Sequence, residues 1–221
     1  NLMDRVREAA NTVDGLSRRL EQAYAGGEGA RDLSARLALQ LLLVEAGVRD
    51  VFEDAPGDAV VAVDGAMGGK DQVEDSPSLA EWVERVGAMY AAWAKRRRMQ
   101  VAHATGKDGR PLLVVSGFGA YRTLRAEAGL HILEDTSVGA EHRDVARVRV
   151  VGGPDEALEG PVLVNELTRL VGQAEKKRNV VRRYREQPSP LVRDSASGLR
   201  SGNLDQVLGG DFDLVFPAPE S

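Results

Sequence analysis

The chain holds few residues suited to covalent or metal chemistry and many suited to contact with phosphate. It contains no cysteine and only three histidines, His103, His131 and His142. A metal centre needs three or four converging ligands. His103 falls in a predicted strand and the other two flank a loop far along the chain, so no metal is expected and the histidines read as core or surface residues. Ser116 lacks the Gly-x-Ser-x-Gly frame of a nucleophile turn. The run from Gly65 to Lys70 lacks the phosphate-loop pattern and reads as a tight turn, so no cofactor is expected. The cations are another matter. Lys95, Arg96, Arg97 and Arg98 are consecutive, and Lys176, Lys177, Arg178, Arg182, Arg183, Arg185 and Arg193 form a second group. Residues 94–110 carry six cations and one acid, and residues 175–193 carry seven cations and two acids, within a chain of net charge -5. Polyanion contact follows local potential rather than the global sum, so both stretches are compatible with RNA. Cations closing a helix complement its dipole by roughly 0.3 to 1 kcal/mol apiece. That accounts for one or two of the four at 95–98, and four in a row cannot all point one way, so phosphate contact is the other use expected of them.

These residues must be carried by elements legible in the apolar pattern. A length of 221 residues with 43% hydrophobic and 29% charged residues is ordinary for a globular chain with a real core. The longest apolar runs are too short and interrupted to span a bilayer, and a cytoplasmic protein is expected, with an organellar address and an upstream targeting segment left open. Apolar positions every three or four residues predict a helix from Leu2 to Ala25. After a glycine-rich turn, a second helix is predicted from Asp32 to Glu45, capped by Gly47, which makes an antiparallel hairpin. Residues 59–63 read as a buried strand. Residues 78–98 read as a helix that turns Trp82, Met89, Tyr90 and Trp93 inward, with Ser76 or Ser78 as N-cap. Strands are predicted at 99–104, 111–116 and 146–151, a helix at 117–127, and a long helix from Val164 to Tyr184 that puts Gln173 at the surface. A loop-rich tail with a short helix near Leu204 follows. The order predicts an α+β sandwich, with helices on one face of a mainly antiparallel sheet. The division expected is a helical hairpin over 1–53 and an α+β domain over 54–221.

Several separated blocks resemble bacterial class-I peptide chain release factors of the type-2 kind. They are Gly65-Ala66-Met67-Gly68-Gly69; Met89-Tyr90-Ala91-Ala92-Trp93-Ala94-Lys95-Arg96-Arg97; Ala120-Tyr121 with Glu127, Gly129, Leu130 and His131; Arg183-Tyr184; Leu191-Val192-Arg193-Asp194; Gly202-Asn203; and Val207-Leu208-Gly209-Gly210-Asp211-Phe212-Asp213. The resemblance implies a helical N-terminal region, a release-factor-like α/β sandwich and a role in translation. Two departures accompany it. The family's catalytic domain with its Gly-Gly-Gln tripeptide has no counterpart: a short linker near 152–163 stands in its place, and every Gly-Gly pair here is followed by Glu28, Lys70, Pro154 or Asp211. The codon-reading segment is altered as well, with Ile132 and Asp135 where the family has cations, and Ser137-Val138-Gly139 in place of its Ser-Pro-Phe. His142-Arg143 is the remnant of a basic motif.

The expectation is a non-enzymatic, release-factor-like protein that binds the ribosome or a structured RNA without hydrolysing peptidyl-tRNA, in a regulatory, protective or rescue-adaptor role. DNA and membrane partners are not expected. Two alternatives stand beside it: an RNA- or protein-interaction module acting off the ribosome, for instance in mRNA stabilisation, and a genuine termination factor. The residues expected to contact RNA are Lys95, Arg96, Arg97, Arg98, Lys176, Lys177, Arg178, Arg182, Arg183 and Arg193. The degenerate codon-reading loop comprises His131, Ser137, Val138, Gly139, His142 and Arg143.

Overall fold

A computed structural model describes residues 2–26, 30–66, 77–135, 142–154 and 159–215. Helices α1 (Leu2–Gly26) and α2 (Ala30–Phe52) form the expected hairpin. The second helix does not stop at Gly47. It continues to Phe52 because this glycine serves packing rather than termination: a Cβ at Gly47 would lie 2.4 Å from the ring of Phe118.

Among the described residues the sheet has eight strands where the apolar pattern predicts four. They are β1 (Asp58–Gly65), β2 (Gln100–Thr105), β3 (Pro111–Ser116), β4 (Gly129–Asp135), β5 (His142–Gly152), β6 (Val180–Arg185), β7 (Leu191–Asp194) and β8 (Arg200–Ser201), in the spatial order β2-β3-β1-β5-β4-β6-β7-β8. All pairings are antiparallel except that of β4 with β6. The central strand β1 is apolar on both faces because both are covered. Helix α3 (Pro77–Arg96) packs Trp82, Val86, Met89 and Trp93 over Val61, Val63, Val115 and Val148. Helix α5 (Gly160–Gln173) packs Leu167 and Val171 over Val60, Ala62 and Leu112 on the opposite face. Helices therefore lie on both faces, not on one. Both tryptophans are buried, at 1% and 0% exposure, as their helical spacing predicts. Gln173 is exposed and accepts a hydrogen bond from Arg169 Nη1 at 2.7 Å.

The long helix expected from Val164 to Tyr184 is two elements. Helix α5 starts four residues earlier and ends at Gln173, and Val180–Arg185 is strand β6. A strand alternates its faces residue by residue. In β6, Arg182 and Tyr184 point into the core while Arg183 and Arg185 are only half-buried, and the inward arginine disguises that alternation as a charged helical surface. Helix α4 (Ala120–Arg125) leads into β4. Helix α6 (Leu204–Gln206), a segment kinked at Gly210 (Val207–Asp211) and α7 (Phe212–Val215) close the described chain against α3.

Candidate nucleic-acid interface

The first cation group sits where α3 stops. The Met99 amide bonds Ala94 O at 3.0 Å and the Arg98 amide bonds Lys95 O at 3.1 Å, the paired closure that usually places glycine at the left-handed position. Here that position is Arg98, at φ 58. Lys95, Arg96 and Arg98 are exposed and Arg97 is buried. The Arg97 guanidinium pairs with both carboxylate oxygens of Asp213, one of them 2.9 Å from Nε, and stacks 5.4 Å from the Trp93 ring. Arg96 bonds Gly209 O at 2.7 Å and Asp211 Oδ2 at 3.1 Å. Burial raises the Asp213 pKa, against the Arg97 charge that lowers it. Gly210, at φ 95, makes this clamp possible: a Cβ there would meet Trp93 N at 2.4 Å. As an RNA contact Arg97 is therefore excluded, since its charge is spent inside the fold. Lys95 and Arg98 remain, and Arg98 lines a small groove with Arg19 of α1 and Arg36 of α2.

The second group is divided in the same way. Lys176, Lys177 and Arg178 are exposed in the segment between α5 and β6. Arg182 is 3% exposed and is corrected from RNA contact to core residue: Nη1 and Nη2 reach Glu127 at 2.6 and 2.7 Å, Nε reaches Asp194 at 3.1 Å, and Phe212 lies under its plane at 4.9 Å. Burial alone would lower its pKa, but Glu127, with help from both tyrosines, raises it overall. His131, placed in the codon-reading loop by the sequence pattern, is a fully buried residue of β4 in the same network. Its Nδ1 lies 2.9 Å from the Tyr184 hydroxyl, and its Nε2 lies 3.2 Å from Glu127 O and 3.1 Å from the Tyr90 hydroxyl. A carbonyl can only accept, so Nε2 carries the proton and the Tyr184 hydroxyl donates to Nδ1. Burial, then the nearby Arg182 charge, lowers the ring's pKa to about 3.

Around this core, strand pairing lines up cations that no single stretch of sequence reveals. Arg183 is opposite Arg193, and Arg193 is opposite Arg200, so three arginines cross β6, β7 and β8 on one face. Arg183 bonds Glu134 at 2.9 Å, whereas Arg193 and Arg200 are exposed and make no hydrogen bond or ion pair among the described residues. Like charges opposed across strands repel, which an anion laid over the row would relieve. The same face of β5 carries Arg147, which is half-buried, and Arg149, which is 3% exposed and bonded to Asp64. Sequence reasoning overlooked Arg147, Arg149 and Arg200. The signal available for the first two was the every-second-residue spacing in Arg147-Val148-Arg149-Val150. In the loop itself, Ser137, Val138 and Gly139 lie outside the described residues. His142 opens β5 opposite Asp135, and Arg143 is opposite Glu134, so β4 and β5 shorten the loop to a hairpin connection.

No protein-family model and no curated protein sequence matches the chain. Among solved structures it is similar to release factor RF2 of Thermus thermophilus, with a TM-score of 0.50 and 19% identity, covering 96% of this chain and 82% of that one. The fold is release-factor-like. In this fold residues from several of these blocks, scattered along the sequence, meet in two places. Tyr90, Glu127, His131, Arg182, Tyr184 and Asp194 form the central buried network, and Trp93, Arg96 and Arg97 meet the Gly-Gly-Asp-Phe-Asp segment at the end of α3. Among the described residues no group of His, Asp or Glu is arranged to hold a metal ion, and no helix is long and apolar enough to cross a membrane.

Proposed function

We propose that this protein is a non-hydrolytic release-factor-like protein that contacts ribosomal or other structured RNA through the exposed cations of the α3 end and the β6–β8 face. The observation that carries this reading is the pairing of a release-factor-like fold with an open arginine row, in a sequence without Gly-Gly-Gln. Lys95, Arg98, Lys176, Lys177, Arg178, Arg193 and Arg200 supply the contacts, with Arg96 and Arg183 shared between structure and surface. Phosphate contacts of this kind position a protein without reading sequence. Such a protein would occupy a ribosomal site without releasing peptide, which suits a protective or rescue-adaptor role. Co-sedimentation with 70S ribosomes at low salt tests this: binding should fall with rising salt, with a log-log slope set by the number of phosphates neutralised. Absence from the ribosome pellet at low salt would overturn it.

A second reading, a protein-interaction role away from the ribosome, is favoured by the apolar stripe that α2 leaves exposed. Leu41, Val48 and Phe52 are spaced by seven and four residues, at 51%, 40% and 86% exposure. Recovery of a protein partner in place of ribosomal RNA, lost on Phe52→Glu, would select that reading. The terminator reading predicts peptide release from stop-codon-programmed ribosomes, and on the present account release stays at the buffer level.

A further inference from the structure

One cluster of cations, sharing only Lys176 with the RNA-contact reading, is unbalanced in a way that the fold does not use. Where β3 has ended, β1 continues alone alongside β5, and Asp64 stands directly opposite Arg147. That carboxylate is already occupied. One of its oxygens accepts from Arg110 Nη1 at 3.2 Å and the other from Arg149 Nη2. Arg149 spends Nη1 on Val171 O at 3.0 Å, and Arg110 has a second acid in Asp108 at 3.0 Å. Arg147 is left over. It is half-buried, it makes no hydrogen bond or ion pair among the described residues, and its Nε is buried without a partner, as is the Nε of Arg149. A buried donor left unpaired is costly, and a guanidinium fork is shaped to grip the oxygens of a phosphate or carboxylate in pairs.

These residues open onto a cavity of about 1210 Å³, which Lys176 also lines. With Arg110, Arg147, Arg149 and Lys176 against Asp64 and Asp108, the cluster carries two net positive charges. Apart from Glu84 and His103, the remaining lining is apolar, much of it from α3. Ala80, Gly87, Ala88 and Ala91 are small, and a Cβ at Gly87 would meet nothing within 4 Å. Glu84 is the acid on that side, exposed at the rim. The cavity thus joins a cationic end to an apolar wall, the division found in pockets that fix a ligand by a few polar groups and hold its body by contact.

We propose that this cavity is a phosphate-binding site for a nucleotide, with Arg147 gripping the phosphate on the α5 face, Arg149 and Lys176 beside it, and the base reaching past the open edge of β1 to the aliphatic wall of α3. The phosphate belongs either to a free mononucleotide or to a nucleotide of an RNA strand. Lys176 is shared with the RNA-contact reading, but Lys95 and Arg98 lie outside the site, so substitutions at those two residues separate failure of the site from failure of that reading. To test it, protein labelled with nitrogen-15 is titrated with inorganic phosphate, adenosine monophosphate and a uridine dodecamer, while the arginine Nε–Hε resonances are followed. The expected result is saturable movement of the Arg147 and Arg149 resonances, at least tenfold weaker binding in Arg147→Met as read from Arg149, and partial recovery by the same resonance in Arg147→Lys, which restores the charge without the fork. Saturation by adenosine monophosphate assigns a free nucleotide, and saturation by the dodecamer alone assigns an RNA strand. A Lys95→Glu/Arg98→Glu protein should lose ribosome binding and keep the Arg147 response. No saturable shift with any of the three probes, or unchanged affinity in Arg147→Met, would overturn the site.

Discussion

His131 is the residue whose ionisation the fold controls most firmly. Burial holds its ring neutral until about pH 3, whereas the unfolded chain takes up that proton near pH 6.5. Between these values the unfolded state binds the extra proton, so stability is complete above pH 6.5 and falls as pH drops toward 3, by at most about 1.4 kcal/mol per pH unit. Urea unfolding at pH 7.5 and pH 5 should show a larger loss for the native protein than for His131→Gln, and equal losses would refute this. Arg182 offers a sharper contrast. Arg182→Ala leaves the buried Glu127 and Asp194 without their cation and should cost about 3 to 5 kcal/mol, read from the urea midpoint. Loss of RNA affinity at matched stability in that variant would show that the residue also reaches ligand. Arg98 behaves oppositely. Its left-handed backbone costs a non-glycine residue about 1 kcal/mol or more, so Arg98→Gly should raise stability by roughly that amount while weakening RNA binding. A variant that gains neither stability nor a binding defect would remove Arg98 from the interface.

At the scale of elements, residues 59–63, 78–98 and 111–116 were legible because their apolar spacing is regular and their charges stay outside. Strands β4 and β6 were hidden for a physical reason. Each turns a polar residue into the core, His131 and Arg182, and those residues are tolerated only because their partners arrive from α3, the turn between α4 and β4, β6 and β7. A pattern that equates polar with exposed cannot detect this. The same concealment affected the candidate interface: the first and second cation groups were visible as runs, but which members were buried, and that Arg193 would meet Arg200 across a strand pair, depended on pairings remote in sequence. A charge reversal at this scale, Arg193→Glu/Arg200→Glu, alters only exposed side chains. It should leave the unfolding midpoint unchanged and lower RNA affinity severalfold with a shallower salt slope, as measured by filter binding over a salt series. Affinity and slope equal to those of the native protein would place the interface elsewhere.

At the scale of the whole molecule, the α3 end links the helical hairpin, the central sheet and the closing segment. Arg97 and Asp213 fasten α3 to α7, Arg36 of α2 approaches Asp211 at 4.0 Å, and α2 packs on α4 and α7. The cations that remain exposed are displayed on a scaffold braced from behind by buried carboxylates, so the chain can be acidic overall and still present basic surfaces. Whether those surfaces serve the ribosome is decided most directly by centrifuging purified protein with 70S ribosomes through a sucrose cushion at low and at raised salt. The account predicts stoichiometric protein in the ribosome pellet at low salt and its loss as salt rises. Protein that stays in the supernatant at low salt, with its fold intact, would contradict it.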